Sequence, residues 1–248
     1  MRWRRGVALV AVVLGATMAH PGRAQERAVA TDQTYETIAG LLDVPDVVGE
    51  GCGVEPPKSL DVFDAPTAAV RRGSLKLAVR RRSDDVATCE APAFIVHATD
   101  GVFEALSEES DYEVRSLIVY EHSGDWFRIA LRRGSKWVRH DPRTFLAYPD
   151  LLLERLAYVR KGWNGTLWQE PGSGAGEPVP FEWRKHLRDD VNADVLAVRL
   201  VGKDAWIQVR LVTESCGETV PGVDPVTGWI PAYSPSGRPA AWFYSRGC

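Results

Sequence analysis

Apolar residues in this chain recur mainly at alternate positions, in short runs broken by Gly, Pro and clustered charge. That period of two is the signature of half-buried strands rather than helices. Two such runs, 80 positions apart, are alike: Asp125-Trp126-Phe127-Arg128-Ile129-Ala130-Leu131 and Ala205-Trp206-Ile207-Gln208-Val209-Arg210-Leu211. Each sends three aliphatic or aromatic residues to one face (Phe127, Ile129 and Leu131; Ile207, Val209 and Leu211) and a Trp followed by small or polar residues to the other. A Trp on the polar face of a strand needs something to touch, so Trp126 and Trp206 are the leading candidates for a binding surface. The alternative is that they pack within their own unit or in an interface between the two units.

The remaining runs fill in two sets of strands. The first set is Ser59 to Pro66, Ser74 to Val79, Ala93 to His97, Val114 to Tyr120, Trp126 to Leu131 and Lys136 to Val138. The second is Arg155 to Val159, Gly165 to Gln169, Val195 to Val201, Trp206 to Thr213, Gly228 to Tyr233 and Ala240 to Tyr244. Short strands separated by turn signals predict an all-β barrel or sandwich. Gly162-Trp163-Asn164-Gly165 contains the Asn-Gly hairpin signal, which places Trp163 on an exposed turn. A short helix is expected over Tyr35 to Leu42, with Tyr35, Ile38, Leu41 and Leu42 on one side. Asp150 is expected to cap a helical turn where the halves join, near Tyr148 to Leu153. Three stretches of the halves align in order: Phe63 to Pro66 with Trp168 to Pro171, Tyr120 to Leu131 with Leu200 to Leu211, and Gly134 to Val138 with Val226 to Ile230.

At the start of the chain the pattern changes. Arg2, Arg4 and Arg5 precede an apolar run from Val7 to Ala19, and Gly22-Arg23-Ala24 places small residues at a cleavage site before Gln25. Residues 1–24 therefore read as a secretory signal, followed by a leader over 25–50 and two units over 51–149 and 150–248. Export places the protein in a periplasmic or extracellular compartment, with no membrane-spanning segment in the mature chain. Loss of four Arg and no acid leaves 26 basic against 33 acidic residues, a net charge of −7. That balance argues against nucleic acid and anionic lipid as partners. In an oxidising compartment the four cysteines are expected to pair. Local pairing, Cys52–Cys89 and Cys216–Cys248, gives each unit one bridge, although four cysteines allow three connectivities.

Gly124-Asp125-Trp126-Phe127 and Gly228-Trp229-Ile230 resemble the middle and closing elements of bacterial SH3-like domains. The first repeat departs from the family pattern at Lys136, where Gly is expected, and the second at Asp204-Ala205, where Gly-Asp is expected. The resemblance implies two small SH3-like β-barrels in tandem with long inserts at 80–112 and 172–194. It further implies a non-enzymatic binding module for peptides, cell-wall fragments or protein partners. Trp168 and Trp229, at strand ends, would lie at the edges of the grooves, as would Trp137. A rival reading is an envelope accessory or inhibitor protein whose units are welded through the Trp-bearing faces. A further rival is a cell-wall hydrolase with a site across the unit boundary.

Chemistry-bearing motifs are sparse. Ser245-Arg246-Gly247-Cys248 is similar to the Ser-His-Gly-Cys stretch of L,D-transpeptidases, but Arg replaces the His that would activate the thiol. His97, His122, His140 and His186 lack metal-ligand spacing. Asp190-Val191-Asn192-Ala193-Asp194 begins like a calcium loop, yet Val195 and Val201 occupy the required Gly and Glu positions, so it reads as a solvated turn. Glu104, Glu108, Glu109, Asp111 and Glu113 read as an acidic loop run. No cofactor and no metal is expected.

Overall fold

The computed structural model describes residues 37–45, 58–78, 93–111, 114–153, 155–161, 163–172, 176–179, 190–212 and 224–245. The expected signal segment, all four cysteines, Trp183 and His186 lie outside them. The strands, in chain order, are β1 (Gly40–Leu42), β2 (Leu60–Phe63), β3 (Gly73–Ala78), β4 (Ala93–Ala98), β5 (Gly101–Ala105), β6 (Ser107–Asp111), β7 (Val114–Ser123), β8 (Trp126–Ala130), β9 (Ser135–Arg139), β10 (Phe145–Ala147), β11 (Leu156–Val159), β12 (Val191–Val201), β13 (Asp204–Leu211), β14 (Val226–Pro231) and β15 (Ala241–Phe243). The protein is all-β, as the alternation requires, with two antiparallel sheets. The first, a curled half-barrel, runs β10-β1-β7-β8-β9-β2-β3-β4-β5, with β6 also on β7; the second runs β14-β13-β12-β11-β15.

The two sheets share a five-strand path. The stretch β9-β8-β7-β1-β10 has the same order as β14-β13-β12-β11-β15, and the registers coincide. Trp126 faces Arg139 and Arg128 faces Trp137; Trp206 faces Pro231 and Gln208 faces Trp229. Phe63 pairs with Trp137 as Trp168 pairs with Trp229. Even the irregularity recurs: register slips between Val119/Ile129 and Glu121/Arg128, and between Val195/Val209 and Ala197/Gln208. A bulge re-aims a strand and fixes its pairing, so the same bulge at the same place ties the two hairpins closely. It also corrects the upstream end of the expected alignment: Glu121 corresponds to Ala197, four positions before Val201. The β12–β13 hairpin is longer than β7–β8, reaching Val201↔Asp204 beyond Arg199↔Trp206, whereas Ser123↔Trp126 ends the first.

Other expectations change as well. Residues 40–42 form β1 instead of part of a helix, because neighbours Leu41 and Leu42 are both fully buried, in different cores. That outcome requires a strand covered on both faces. Of the acidic run, Glu104 lies in β5 and Glu108, Glu109 and Asp111 in β6 rather than in a loop, and Glu113 lies outside the described residues. Asn192 to Asp194 belong to β12, with Arg210 across the ladder pairing Asp194 at 2.5 Å. Asn164 makes no hairpin: its Oδ1 accepts the Thr166 amide at 3.0 Å in a local turn, and of residues 165–169 only Trp168 forms a β-bridge. Asp150 opens a 3-10 turn (Asp150–Leu152) rather than capping it.

Two cores result. The first fills the curled sheet with Val62, Leu75, Phe94, Leu117, Phe127, Ile129 and Val138, among others. The second gathers Ala157, Leu167, Ile207, Val209 and Ile230 from the second sheet, together with Leu41, Ile118 and Ala130 from the back of the first. The back face of the first sheet is thus covered where it meets the second. Tyr148 fastens this seam: its hydroxyl lies 2.7 Å from the Ala232 carbonyl and 3.2 Å from that of Ala241. Burial pushes its phenol well above the ordinary range.

Candidate functional site

The matched registers place a three-aromatic cluster on the same face of each sheet, turned away from the aliphatic core. In the first sheet it is Phe63, Trp126 and Trp137; in the second, Trp168, Trp206 and Trp229. Cross-strand partners share a face, so these groupings follow from pairing alone.

Burial differs between the members. Trp137, Trp206 and Trp229 are 8%, 7% and 5% exposed. Trp126, Phe63 and Trp168 are half-buried. Trp126 meets Phe63 edge-on with ring centroids 5.0 Å apart, which is the preferred geometry for an aromatic pair. Over Trp229 lies the Arg199 guanidinium, 5.1 Å from the ring centroid, with Glu170 3.8 Å from the same side chain. The surface that remains open is therefore Phe63 with Trp126 on one sheet and Trp168 on the other. Trp206 and Trp229 back these surfaces as buried plates. Neither Trp126 nor Trp206 belongs to the shared core at the seam, whose aromatic members are Tyr148, Trp242 and Phe243.

Charges frame the first cluster. Arg139 pairs with Asp125 at 2.5 Å and Arg128 with Glu121 at 3.0 Å. The departure from the SH3-like pattern at Lys136 has a local cause: its Nζ lies 2.8 Å from both Asp64 and Asp100. Hydrogen bonds from this ammonium hold both carboxyls below the ordinary range despite some desolvation. At the matching position of the second sheet, Gly228 leaves room for Leu167: a β-carbon there would lie 2.8 Å from the Leu167 Cβ. Trp163, expected on an exposed turn, is half-buried against the second core.

The other candidates fall apart on placement. His97 and His122 sit on β4 and β7, and the His140 Nδ1 is 3.0 Å from the Thr144 hydroxyl. Ser116 donates to Asp43 within a cluster that also holds Ser110, but both serines are buried and, among the described residues, no imidazole joins them. Among the described residues no group of three or more His, Cys, Asp or Glu is placed to hold a metal ion, and no helix is long and apolar enough to cross a membrane.

A second concavity lies where the two sheets meet. Glu108 and Glu109 of β6 face Tyr158 of β11, Trp242 of β15 and Tyr244 across a cleft of about 350 Å³, with Asp190 and Arg160 at its margin. Periodicity could not reveal it, because its walls come from distant strands. Comparison with protein families, curated proteins and solved structures finds no match for this chain.

Proposed function

We propose that this is an exported, non-enzymatic binding protein built from two SH3-like barrels. It recognises a peptide, cell-wall fragment or protein partner through the aromatic clusters. The supporting observation is the recurrence of one aromatic trio, in one register, on the outward face of both sheets, with Phe63, Trp126 and Trp168 kept at the surface. Rigid apolar plates bearing a single N–H suit stacking against extended or proline-rich segments and sugar rings. The cysteine pairs Cys52–Cys89 and Cys216–Cys248 belong to the same reading.

A second reading, an accessory protein acting as one rigid body, is favoured by the shared core and by Tyr148 bridging the sheets. Co-sedimentation with purified cell-wall sacculi, alongside affinity capture from envelope extract, separates the two. Capture that is lost in Trp126→Ala and Trp168→Ala supports the aromatic surface. Capture unchanged in both variants overturns it and favours the rigid-body reading.

A further inference from the structure

The seam cleft is separate from the aromatic trios, and its chemistry is different. It is lined by three acidic residues, Glu108, Glu109 and Asp190, whose Oδ1 also accepts the Lys161 amide at 2.6 Å, and by one cationic residue, Arg160. Tyr158, Trp242, Phe243 and Tyr244 line it as well. Tyr158 and Tyr244 meet at 4.8 Å between ring centroids with planes 51° apart, a wedge rather than a closed stack. Tyr158 and Trp242 are cross-strand partners and so share that face. The Tyr244 hydroxyl is fixed at 2.7 Å from the Asn192 Oδ1. Carboxylates beside fixed aromatic faces attract cations both through charge and through the ring quadrupole.

The molecule already makes such a contact next door. Arg155 lies over the Phe243 ring at 5.0 Å, and its Nη1 donates to the Ser110 carbonyl of β6. The same two strands, β6 and β15, therefore hold one guanidinium between an aromatic ring and a backbone acceptor. Burial raises both the Tyr158 and Tyr244 phenols; at Tyr158 Arg160 opposes the shift while Asp190 and Glu108 add to it, and at Tyr244 Asp190 adds.

We propose that this cleft receives the lysine or arginine side chain of a partner polypeptide, with the cationic head among Glu108, Glu109 and Asp190 and the stem along Tyr158 and Tyr244. The volume is at the small end for a ligand pocket and suits one or two side chains. The site does not depend on the outer aromatic trios, so either can fail without the other.

The test is a titration of the full chain, followed by amide NMR, with the tripeptides Gly-Lys-Gly, Gly-Arg-Gly and the neutral Gly-norleucine-Gly. The basic tripeptides are expected to shift resonances of β6, β11 and β15 and to bind about tenfold more tightly than the neutral one. Binding should weaken on raising the salt from about 0.05 M to 0.5 M. Glu108→Gln with Glu109→Gln should weaken Gly-Lys-Gly several-fold, Tyr244→Ala should do likewise, and Leu200→Ser, on the exposed tip of the β12–β13 hairpin, should not. Equal binding of the neutral tripeptide, no shifts at these strands with any tripeptide, or indifference to both substitutions overturns the proposal.

Discussion

The two sheets run the same five-strand path, yet they solve one position in opposite ways. Where the first has Lys136, the second has Gly228. In the first, the side chain reaches both Asp64 and Asp100 and ties them together. In the second, the absent side chain lets Leu167 pack fully buried against the strand. The difference shows that a repeated fold fixes backbone register more strictly than it fixes how an end is closed: one unit closes by ion pairing, the other by close approach.

The largest expected effects fall on residues that should be equivalent by register but differ in burial. Trp206→Ala is expected to cost about 3–5 kcal/mol, the usual range for a buried Trp, and Trp126→Ala only about 1–2 kcal/mol, because Trp126 is only partly buried. Urea denaturation of both variants checks this; equal losses would break the comparison. Ile118→Ala, at the seam, should cost about 2–4 kcal/mol. It should do so in a single transition seen by probes on either sheet, since Ile118 belongs to the core of the second while lying on the first. Two separate transitions in the native protein would show that the seam does not couple the units.

Gly228→Val should cost about 1–3 kcal/mol through overpacking against Leu167 and the Trp168 carbonyl. By contrast, Lys136→Gly should leave the first sheet folded, with a smaller loss. Calorimetry of the pair measures the asymmetry directly, and a larger loss from Lys136→Gly would reverse the account.

The acid response should belong to the first sheet. Asp64 and Asp100 have lowered pKa values, chiefly from the Lys136 hydrogen bonds. Their stabilisation is thus complete above the ordinary carboxyl range and fades as pH falls below about 4. Lys136→Met should flatten that part of the stability-versus-pH curve, and an unchanged slope would place the acid sensitivity elsewhere. The smallest effect is local. Asp141, which accepts hydrogen bonds from the Arg143 guanidinium and amide, titrates at about 2. In Arg143→Ala its carboxyl should move up toward the ordinary range, as read by carboxyl-carbon NMR.

Strands β8 and β13 are legible because a clean alternation fixes their core faces, although β13 runs Asp204–Leu211, two residues earlier at each end than the alternation places it. The Trp-to-Trp correspondence was legible for the same reason. The partner strands were harder to read. Leu41 and Leu42 break alternation because both sides of β1 are buried. Glu104, Glu108 and Glu109 make β5 and β6 look like loop. Most of all, alternation tells which residues share a face but not what covers that face. Trp206 and Ala130 both lie opposite the aliphatic row, and both are buried. Ala130 carried the only local hint, since a small residue permits another sheet to approach.

The ends of the described chain are clasped together. The Thr37 amide donates to the Gly237 carbonyl at 2.7 Å, and the Tyr233 hydroxyl donates to the Ile38 carbonyl at 2.8 Å. Such contacts span nearly the whole sequence, and contacts of that separation slow folding because the loop must close before they contribute. During synthesis β1 emerges early but its clasp arrives last. Until residues near 237 have left the ribosome, the first sheet must wait with its back uncovered. The first described strand can pair with β7 and β10 as soon as residue 147 is made, but its clasp to the second unit closes only once residues near 237 exist.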